Sequence, residues 1–329
     1  MRNLQNFGAN ESLLKTQLID KGDHHMRSNM KISRRRFIPL AGGALAAAAF
    51  SQQTRRTHGL PVGIQLYMVN ADLTKDPAGT LKKLAEIGYS EVETAGFGKL
   101  SAAQFRDLLR DAGLRAPSAH LGFGMDDTDK LLDDAKTLGA EYAVSSMLAP
   151  KNEGAADFFK NLNSMSADDF RSVAAHANEI GQKTKAAGMQ YAYHNHNIEF
   201  RDVGDGKTGY DILLEETDAS VVKFELDCGW MKVGGKDPVE YLRRYGNRIA
   251  MLHAKDFKNI TKPVTALFSA DRPPSSELGR GSIDYKPIVE AGLKAGVKHI
   301  FVEQEGPFKE VSAMEAAEID YRYLKPLLS

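Results

Sequence analysis

From Leu60 onward, short apolar runs rich in Val, Ile, Tyr and Phe alternate with longer segments whose apolar residues recur at helical spacing. In one such segment, residues 76–87, Leu81, Leu84 and Ala85 fall on one helical face. This alternation is typical of α/β proteins with a parallel sheet. The eight predicted strands are Val62–Met68, Ser90–Thr94, Ala116–Leu121, Glu141–Met147, Met189–Asn195, Val221–Asp227, Ile249–Ala254 and His299–Gln304.

Eight strand-helix units predict an α/β fold of the closed (β/α)₈ type, a TIM barrel, as a single domain. An open doubly wound sheet usually has fewer strands and a glycine-rich phosphate turn, and no G-x-G-x-x-G follows the first strand. Two longer intervals, 148–188 and 255–298, are predicted to be insertions in loops that follow strands, where a barrel builds its active-site rim. Predicted C-terminal helix caps are Gly88, Gly113, Gly139, Gly188 and Gly296.

Residues 1–59 are predicted to be an N-terminal extension that precedes the barrel at 60–329. Arg34 and Arg35 precede a weakly apolar Gly/Ala-rich stretch that ends near Phe50, a pattern that resembles a twin-arginine export signal. Because about 14 apolar residues fall short of the ~20 needed to cross a bilayer, no permanent membrane anchor is expected. An amphipathic core helix after a basic loop is the alternative. Export would make the protein periplasmic or secreted.

Composition excludes two classes of partner or site. The chain has 329 residues, 42% hydrophobic and 26% charged, and a formal net charge of zero. The first 49 residues carry eight Lys or Arg against three Asp or Glu, so the remainder has five more acidic than basic residues. Sequence-independent nucleic-acid binding needs a surplus of Lys and Arg, so nucleic acid is not an expected partner. A single cysteine, Cys228, also excludes an intramolecular disulfide or a Cys-based zinc site.

Polar side chains stand at the carboxyl ends of the last four predicted strands, where a buried barrel strand should be apolar. With a side-chain period of two, each strand places two polar groups on one face, and these faces converge if they point into the barrel mouth. The four pairs are His194 with His196, Glu225 with Asp227, His253 with Lys255, and Glu303 with Glu305.

Imidazole and carboxylate groups without a thiolate suit Mn²⁺, Zn²⁺, Co²⁺ or Mg²⁺, with Mn²⁺ favoured by the carboxylates. Taken singly, each group also has a structural explanation: a buried His can be a hydrogen-bonded core residue, and an Asp at a strand end can cap a helix. Lys255 and Asp256 could form a salt-bridged pair at the rim. Further pocket candidates are Glu93 and His120, and residues that could equally be core are Tyr67, Phe97, Tyr193, Trp230 and Met251.

Several stretches carry a resemblance to a known family. They are Tyr193-His194-Asn195-His196 with Glu199-Phe200, Glu225-Leu226-Asp227 with Gly229-Trp230, Gly234-Gly235-Lys236-Asp237-Pro238, Leu252-His253-Ala254-Lys255-Asp256, Leu278-Gly279-Arg280-Gly281-Ser282-Ile283-Asp284 and Val302-Glu303-Gln304-Glu305. Together they resemble the xylose-isomerase-like TIM barrel superfamily, and within it the sugar phosphate isomerase/epimerase group, which includes inosose dehydratases and ketose 3-epimerases. The resemblance spans residues 60–328.

The resemblance implies a metal site. The family holds one divalent metal with a Glu, an Asp, a His and a Glu from strands five to eight, and the last three fall on Asp227, His253 and Glu303. His194 replaces the strand-five Glu, with His196 as the alternative. In the epimerases two metal-bound glutamates exchange the substrate proton, so Glu303 would be the base and His194 or His196 its counterpart. The candidate substrate-binding residues are Glu93, His120, Trp230, Lys255, Arg280 and Glu305.

The resemblance also separates this chain from a subgroup of the superfamily. Members that cleave abasic DNA carry a His three residues after the strand-six Asp, as part of a trinuclear zinc cluster. Trp230 stands there in this chain, which argues against phosphodiester chemistry.

The function expected from the sequence is a metal-dependent sugar isomerase or epimerase that abstracts a proton from a carbon next to a carbonyl or hydroxyl-bearing carbon. One alternative is a dehydratase or 3-keto-glycoside lyase, which follows the same first step with β-elimination. Another is a non-catalytic sugar-binding barrel. The expected cofactor is one divalent ion, the expected partner is a small-molecule sugar or glycoside, and homo-oligomerisation is left open.

Overall fold

The structure, a computed structural model, describes residues 59–123, 127–151 and 153–329. Eight parallel strands in this part of the chain close into a barrel in chain order, and the last strand pairs with the first. The strands are β1 Val62–Gln65, β2 Glu91–Thr94, β3 Arg115–His120, β4 Tyr142–Ser146, β5 Gln190–His194, β6 Val222–Asp227, β7 Ile249–Ala254 and β8 His299–Val302. The predicted TIM barrel is confirmed, whereas the predicted export signal lies outside the described residues.

Helices follow the strands and cover the barrel. In the second helix, Leu81 and Leu84 of the predicted face pack into the core, and in the third Phe105 and Leu109 do the same. The helices are α1 Asn70–Lys75, α2 Pro77–Ile87, α3 Ala102–Ala112, α4 Thr128–Leu138, α5 Ala155–Asn161, α6 Ala167–Ala186, α7 Gly209–Glu216, α8 Cys228–Val233, α9 Pro238–Tyr245, α10 Tyr285–Ala295 and α11 Ala313–Leu324.

Local sequence signals set the helix ends. Ser101 and Ser312 accept a backbone N–H from the third helical residue, and the side chain of that residue returns the contact, so both form capping boxes. At the other end, Gly113 and Gly296 adopt the left-handed conformation at φ 76° and 84°, which glycine enters without a Cβ penalty. The predicted glycine caps at these positions are confirmed.

Five strands end earlier than the sequence predicts, and three of them bear on the site. The backbone after Gln65 turns into a short 3-10 segment, Leu66–Val69, because the Gln65 side chain accepts the Tyr67 N–H. The strand β5 stops at His194 and β8 stops at Val302, so His196 and Glu305 lie in loops beyond the barrel ladder. Polar groups at the mouth therefore extend from the strand ends into the loops.

The loop after β7 carries the second predicted insertion. It begins with a small antiparallel ladder between Asp256–Phe257 and Ser275–Ser276. Its middle is fixed to the neighbouring loop, since the Asn197 side chain donates to the Val264 carbonyl at 2.8 Å. This anchoring holds the insertion over the carboxyl end of the barrel.

Candidate active site

Four side chains from four neighbouring strands meet at the carboxyl end of the barrel. One ligand atom from each of His194, Asp227, His253 and Glu303 lies within 4.8 Å of the other three. The first three side chains are at most 2% exposed, and Glu303 is 8% exposed. Parallel register explains the common depth, because Asp227 pairs with His253 along the ladder between β6 and β7.

Asp227 combines two roles that sequence reasoning treats as alternatives. Its Oδ1 caps helix α8 by accepting the Trp230 N–H at 2.7 Å. Its Oδ2 is buried and has no hydrogen-bond partner, although the Lys255 ammonium lies 3.3 Å away. Burial raises the pKa of this carboxyl to about 6. A buried oxygen without a hydrogen bond is costly for an ordinary cap and suits a metal ligand.

Glu225 lies one layer deeper than Asp227 and orients the two imidazoles of the cluster. Its Oε2 lies 3.0 Å from His194 Nδ1, 3.2 Å from His253 Nε2 and 2.8 Å from His120 Nε2. When His194 Nδ1 and His253 Nε2 each donate an N–H to Glu225, the second nitrogen of each ring, His194 Nε2 or His253 Nδ1, presents its lone pair to the other candidate metal ligands. His253 Nδ1 is 2.9 Å from Glu303 Oε2. A carboxylate behind a ligating His is the usual device that fixes its tautomer.

Glu93 and His120 complete this deeper layer. Glu93 Oε2 lies 2.7 Å from His253 Nε2 and 3.1 Å from His120 Nε2, and it also accepts from Gln65 at 2.8 Å. Glu93 is wholly buried, so the structure brings it to the cluster as a support for His253. Burial alone would lower the pKa of His120, but Glu93 and Glu225 raise it to about 10.

The same electrostatics hold the histidine layer in defined charge states. Burial would raise the pKa of Glu225 and Glu93 opposes its ionisation further, yet the nearby histidines lower that pKa to about 2. Burial, followed by the charge of His253, puts the pKa of His194 well below its usual range. His194 is therefore neutral near pH 7, as a metal-ligating imidazole must be.

A second set of four, His120, His194, Glu225 and His253, also has ligand spacing. Each set contains a buried carboxylate oxygen without a hydrogen-bond partner, Glu225 Oε1 in the second and Asp227 Oδ2 in the first. In the second set, however, all three imidazoles direct a nitrogen at Glu225 Oε2, which pairs them with that carboxylate. The first set is therefore the better metal site. It is also the set that the family resemblance implies.

Lys255 is buried among carboxylates on the substrate side of this cluster. Its Nζ lies 2.8 Å from Glu305 Oε1, 3.0 Å from Glu303 Oε2 and 3.3 Å from Asp227 Oδ2. Burial would lower its pKa, but Glu303 and Glu305 raise it above its usual range, so Lys255 is charged. The suggested rim pair with Asp256 does not form, because Asp256 instead accepts backbone N–H groups of its own loop.

The charges of the cluster are compatible with a divalent ion. Lys255 and Arg272 are the Lys and Arg side chains that contact it in the described part of the chain. Burial would lower the pKa of His253, but Glu225 and Glu93 raise it well above its usual range, so His253 is protonated like His120. A divalent ion that displaces the His253 proton would, with Lys255, Arg272 and protonated His120, balance five carboxylates. The five carboxylates are Glu93, Glu225, Asp227, Glu303 and Glu305.

Trp230 contacts both cations. Its buried ring lies 5.1 Å from Lys255 Nζ and 4.8 Å from the Arg272 guanidinium carbon, which is a cation–π arrangement with each. The close packing of helix α8 here requires glycine at Gly229, since a Cβ would lie 2.3 Å from the Lys255 carbonyl oxygen. Trp230 is therefore a core residue that also borders the candidate site, and its part in substrate binding stays a prediction.

His196 borders the same pocket from the β5 side. Its half-buried ring lies 5.1 Å from that of His194 and 5.9 Å from that of Trp230, and its buried Nδ1 has no hydrogen-bond partner. Burial, followed by the charge of Lys255, lowers its pKa to about 4. His196 is therefore a neutral imidazole with an unused nitrogen near pH 7.

Two arginines differ from the sequence-based expectation. Arg280 is exposed, and its described ion pair joins it to Glu277 at 3.8 Å rather than to the cluster. Arg272, which sequence reasoning missed, donates to Glu305 at 2.9 Å. Glu225 was named among the convergent strand-end pairs, but sequence reasoning assigned it no role; its position two residues before Asp227 on a buried strand was the signal that could have indicated one.

Comparison with known proteins assigns the chain to a family. A model described as "Xylose isomerase-like TIM barrel" matches residues 81–327. The chain belongs to this family. The family resemblance inferred from the motifs is confirmed.

Individual relatives extend the comparison. An inosose dehydratase from Geobacillus kaustophilus is 25% identical over 63% of this chain and 73% of its own length. The structure of a sugar phosphate isomerase/epimerase from Parabacteroides distasonis is 26% identical, with a TM-score of 0.65, over 84% of this chain and 98% of that one. The structure of a zinc-bound IolI protein is 15% identical and superposes over 82% of this chain and 98% of that one with a TM-score of 0.57, so it shares the fold. Among the described residues of this chain, none forms a helix with the length and apolar character of a membrane span.

Proposed function

We propose that this chain is a divalent-metal-dependent enzyme that abstracts a proton from a sugar carbon next to a carbonyl or hydroxyl-bearing carbon and returns it as an isomerase or epimerase. The observation that carries the proposal is the convergence of His194, Asp227, His253 and Glu303, whose ligand atoms, one from each residue, lie within 4.8 Å of one another. The buried cation Lys255 lies beside them. The similarity to a sugar phosphate isomerase/epimerase supports it.

The donor set suits a single divalent ion, with Mn²⁺ favoured because two carboxylates accompany two imidazoles. When bound, such an ion supplies Lewis-acid charge to two vicinal sugar oxygens. The chain provides the rest of the site: Glu225 and Glu93 hold the imidazole tautomers, and the burial of the ligands excludes water from the reacting carbon.

Glu303 is the proposed proton acceptor. It is the least buried of the four ligand candidates and therefore the one nearest to an entering substrate. Burial would raise its pKa, but Lys255 and His253 lower it below its usual range, so the carboxylate is ionised and able to take a proton. Lys255, 3.0 Å from Glu303 Oε2, stabilises negative charge on the same side of the pocket.

His196 is the proposed counterpart in proton transfer, and His194 the proposed ligand. The contact of His194 Nδ1 with Glu225 directs His194 Nε2 toward Asp227 Oδ2, 4.0 Å away. His196 keeps a buried nitrogen without a partner in the same pocket. As a neutral imidazole, His196 can accept a proton near pH 7 and return it, so the pair Glu303 and His196 provides acid–base chemistry in the pocket.

The second candidate function is β-elimination after the same proton abstraction, as in a dehydratase or 3-keto-glycoside lyase. Two observations favour it: strand β5 presents His194 where the family carries a second glutamate, and the curated relatives include inosose dehydratases. An imidazole that donates its proton to a departing oxygen suits elimination as well as epimerisation.

Solvent-deuterium exchange tests the common first step. The metal-loaded protein, incubated in deuterated water with a panel of free sugars and 3-keto-glycosides, is expected to incorporate deuterium at one carbon. A stable epimer indicates isomerase chemistry, and an unsaturated product indicates elimination. General acid–base catalysis contributes ~10²–10⁴-fold, so Glu303→Gln should lower turnover by at least about 100-fold.

Two matched variants make the assignment to Glu303 decisive. Glu305→Gln changes the rival carboxylate, which also contacts Lys255, and Glu310→Gln changes an exposed glutamate that pairs with Lys258 at 3.0 Å. Exchange should survive in the Glu310 variant. If deuterium exchange persists in Glu303→Gln but disappears in Glu305→Gln, Glu305 is the base. If the wild-type protein exchanges deuterium into none of the sugars, the proposed reaction is rejected.

A further inference from the structure

The side chains of the pocket become more exposed from its base to its mouth. The metal-ligand candidates at its base are almost wholly buried, whereas the side chains of Glu305 and Arg272 above them are 21% and 26% exposed. Tyr67, at the end of β1, is 54% exposed. A sugar ring held at the base would fill the buried part, so these three outer residues can contact only a group that extends beyond that ring.

Tyr67 is displayed on a fixed backbone. Its N–H donates to Gln65 Oε1 at 3.1 Å, and Gln65 Nε2 donates to Glu93 Oε2 at 2.8 Å, which ties the turn to the deep carboxylate layer. The flanking Leu66 and Met68 side chains are buried. Partial burial, followed by the charges of Glu305 and Glu303, raises the pKa of the Tyr67 phenol, which agrees with a position over the pocket mouth.

Arg272 and Glu305 form a polar pair at the same height of the barrel mouth as Tyr67. Ile64 pairs with Val302 on the adjacent strands β1 and β8, and Tyr67 and Glu305 each lie three residues beyond that pair. Arg272 donates to Glu305 Oε2 at 2.9 Å while its guanidinium covers the Trp230 ring. The other cation, Lys255, is buried and surrounded by three carboxylates. In the described part of the pocket, neither cation is therefore available to neutralise a phosphate, whereas the pair offers donors and acceptors to hydroxyl groups.

We propose that Tyr67, Arg272 and Glu305 form a second-ring subsite, which binds the uncharged aglycone or second sugar of a glycoside whose first ring occupies the metal pocket. This inference rests on the proposed function for the location of the first ring. An exposed aromatic ring beside a few convergent polar groups is the usual composition of a site for a ring-containing ligand. With this subsite, the substrates would be glycosides rather than free monosaccharides or sugar phosphates.

The fluorescence of Trp230 measures binding without turnover, because it is the only tryptophan in the chain and lies under Arg272. Metal-loaded full-length protein is titrated with the methyl and phenyl glycosides of glucose, galactose and xylose, and with glucose 6-phosphate. At least one phenyl glycoside should bind about 2- to 10-fold more tightly than its methyl counterpart, the range expected for one aromatic pair. Glucose 6-phosphate should bind no more tightly than glucose.

Three variants locate the effect. Tyr67→Ser should bring the phenyl-to-methyl preference close to one, and Tyr67→Phe should keep it because the ring remains. Leu293→Ala, which changes an exposed apolar residue on the outer helix α10, should also keep it. A preference that Tyr67→Ser leaves unchanged, a tighter complex with glucose 6-phosphate, or no binding by any glycoside would each overturn the subsite.

This experiment can fail independently of the proposed reaction. Deuterium exchange into a sugar by a protein without a phenyl preference would retain the proton transfer and reject the subsite. A phenyl preference that depends on Tyr67, in a protein that exchanges no sugar proton, would retain the subsite and reject the reaction.

Discussion

Replacement of Glu225 by Gln is the sharpest single test of how the ligand histidines are held. The variant keeps the volume of the side chain and removes its charge. In the native protein one carboxylate oxygen contacts nitrogens of His120, His194 and His253 at 2.8 to 3.2 Å. All three contacts involve the same oxygen, so an amide can keep at most a neutral carbonyl there, and the three imidazole N–H groups lose the negative charge that holds them.

The expected loss follows from which imidazoles are affected. Removal of the outer partner of a ligating His commonly costs ~10–100-fold in metal affinity, or about 1.4–2.7 kcal/mol. Because Glu225 supports both ligand histidines, we expect Glu225→Gln to lie near the 100-fold end. The free energy of unfolding of the metal-free protein should also fall, since a hydrogen bond to a charged group contributes about 1.5–3 kcal/mol.

Glu91→Gln is the matched control. Glu91 is also fully buried and contacts an imidazole, His299 Nδ1 at 2.8 Å, but it stands at the start of β2, at the opposite end of the barrel. Chelator-competition titrations should give a wild-type metal Kd for Glu91→Gln and a raised Kd for Glu225→Gln, while thermal unfolding shows both variants destabilised. A wild-type metal Kd in Glu225→Gln, or equal losses of affinity in both variants, would refute this reasoning.

Three further predictions test separate parts of the chain. Asp227→Ala should lose bound metal on dialysis, as measured by elemental analysis, whereas Asp237→Ala, which removes a comparable helix cap, should retain it. Burial raises the pKa of Asp320 from 3.8 to about 8, so the folded state keeps this carboxyl protonated and the stability of the protein falls as pH rises from about 4 to 8. In thermal melts, the stability of Asp320→Asn should depend less on pH than that of the wild type, and at pH 8 the variant should be the more stable protein. Lysine at both Arg34 and Arg35 should leave precursor in the cytoplasm in a fractionation assay, and normal export would reject the predicted signal.

The barrel and the strand ends that carry the polar groups were predictable because both depend on short-range periodicity. Buried strands have apolar residues in succession, and interruptions by Asp227 or His253 at the same strand end stand out against that background. Parallel register then brings such interruptions to one depth without any long-range information. Periodicity indicated eight polar groups on four strands, and the family resemblance selected the four candidate ligands among them.

Depth and loop conformation were not predictable in the same way. Glu225 shares a strand face with Asp227, but only the closed barrel shows that its carboxylate reaches three imidazoles from three other strands. Arg272 comes from the long insertion after β7, where no periodicity indicates which side chain returns to the mouth. Arg280, chosen from a motif, is instead on the exposed part of the same insertion.

The imidazole at strand five is held by a buried carboxylate. The resemblance implies a metal-bound glutamate where this chain has His194, and a neutral imidazole there makes the candidate ligand layer less negative by one charge. Glu225 Oε2 lies 3.0 Å from His194 Nδ1, where it accepts a hydrogen bond and directs His194 Nε2 toward Asp227 Oδ2. In the proposed reaction, imidazole chemistry would take the place of the second carboxylate base. Because the same Glu225 oxygen also contacts His120 and His253, one residue orients both candidate ligand histidines.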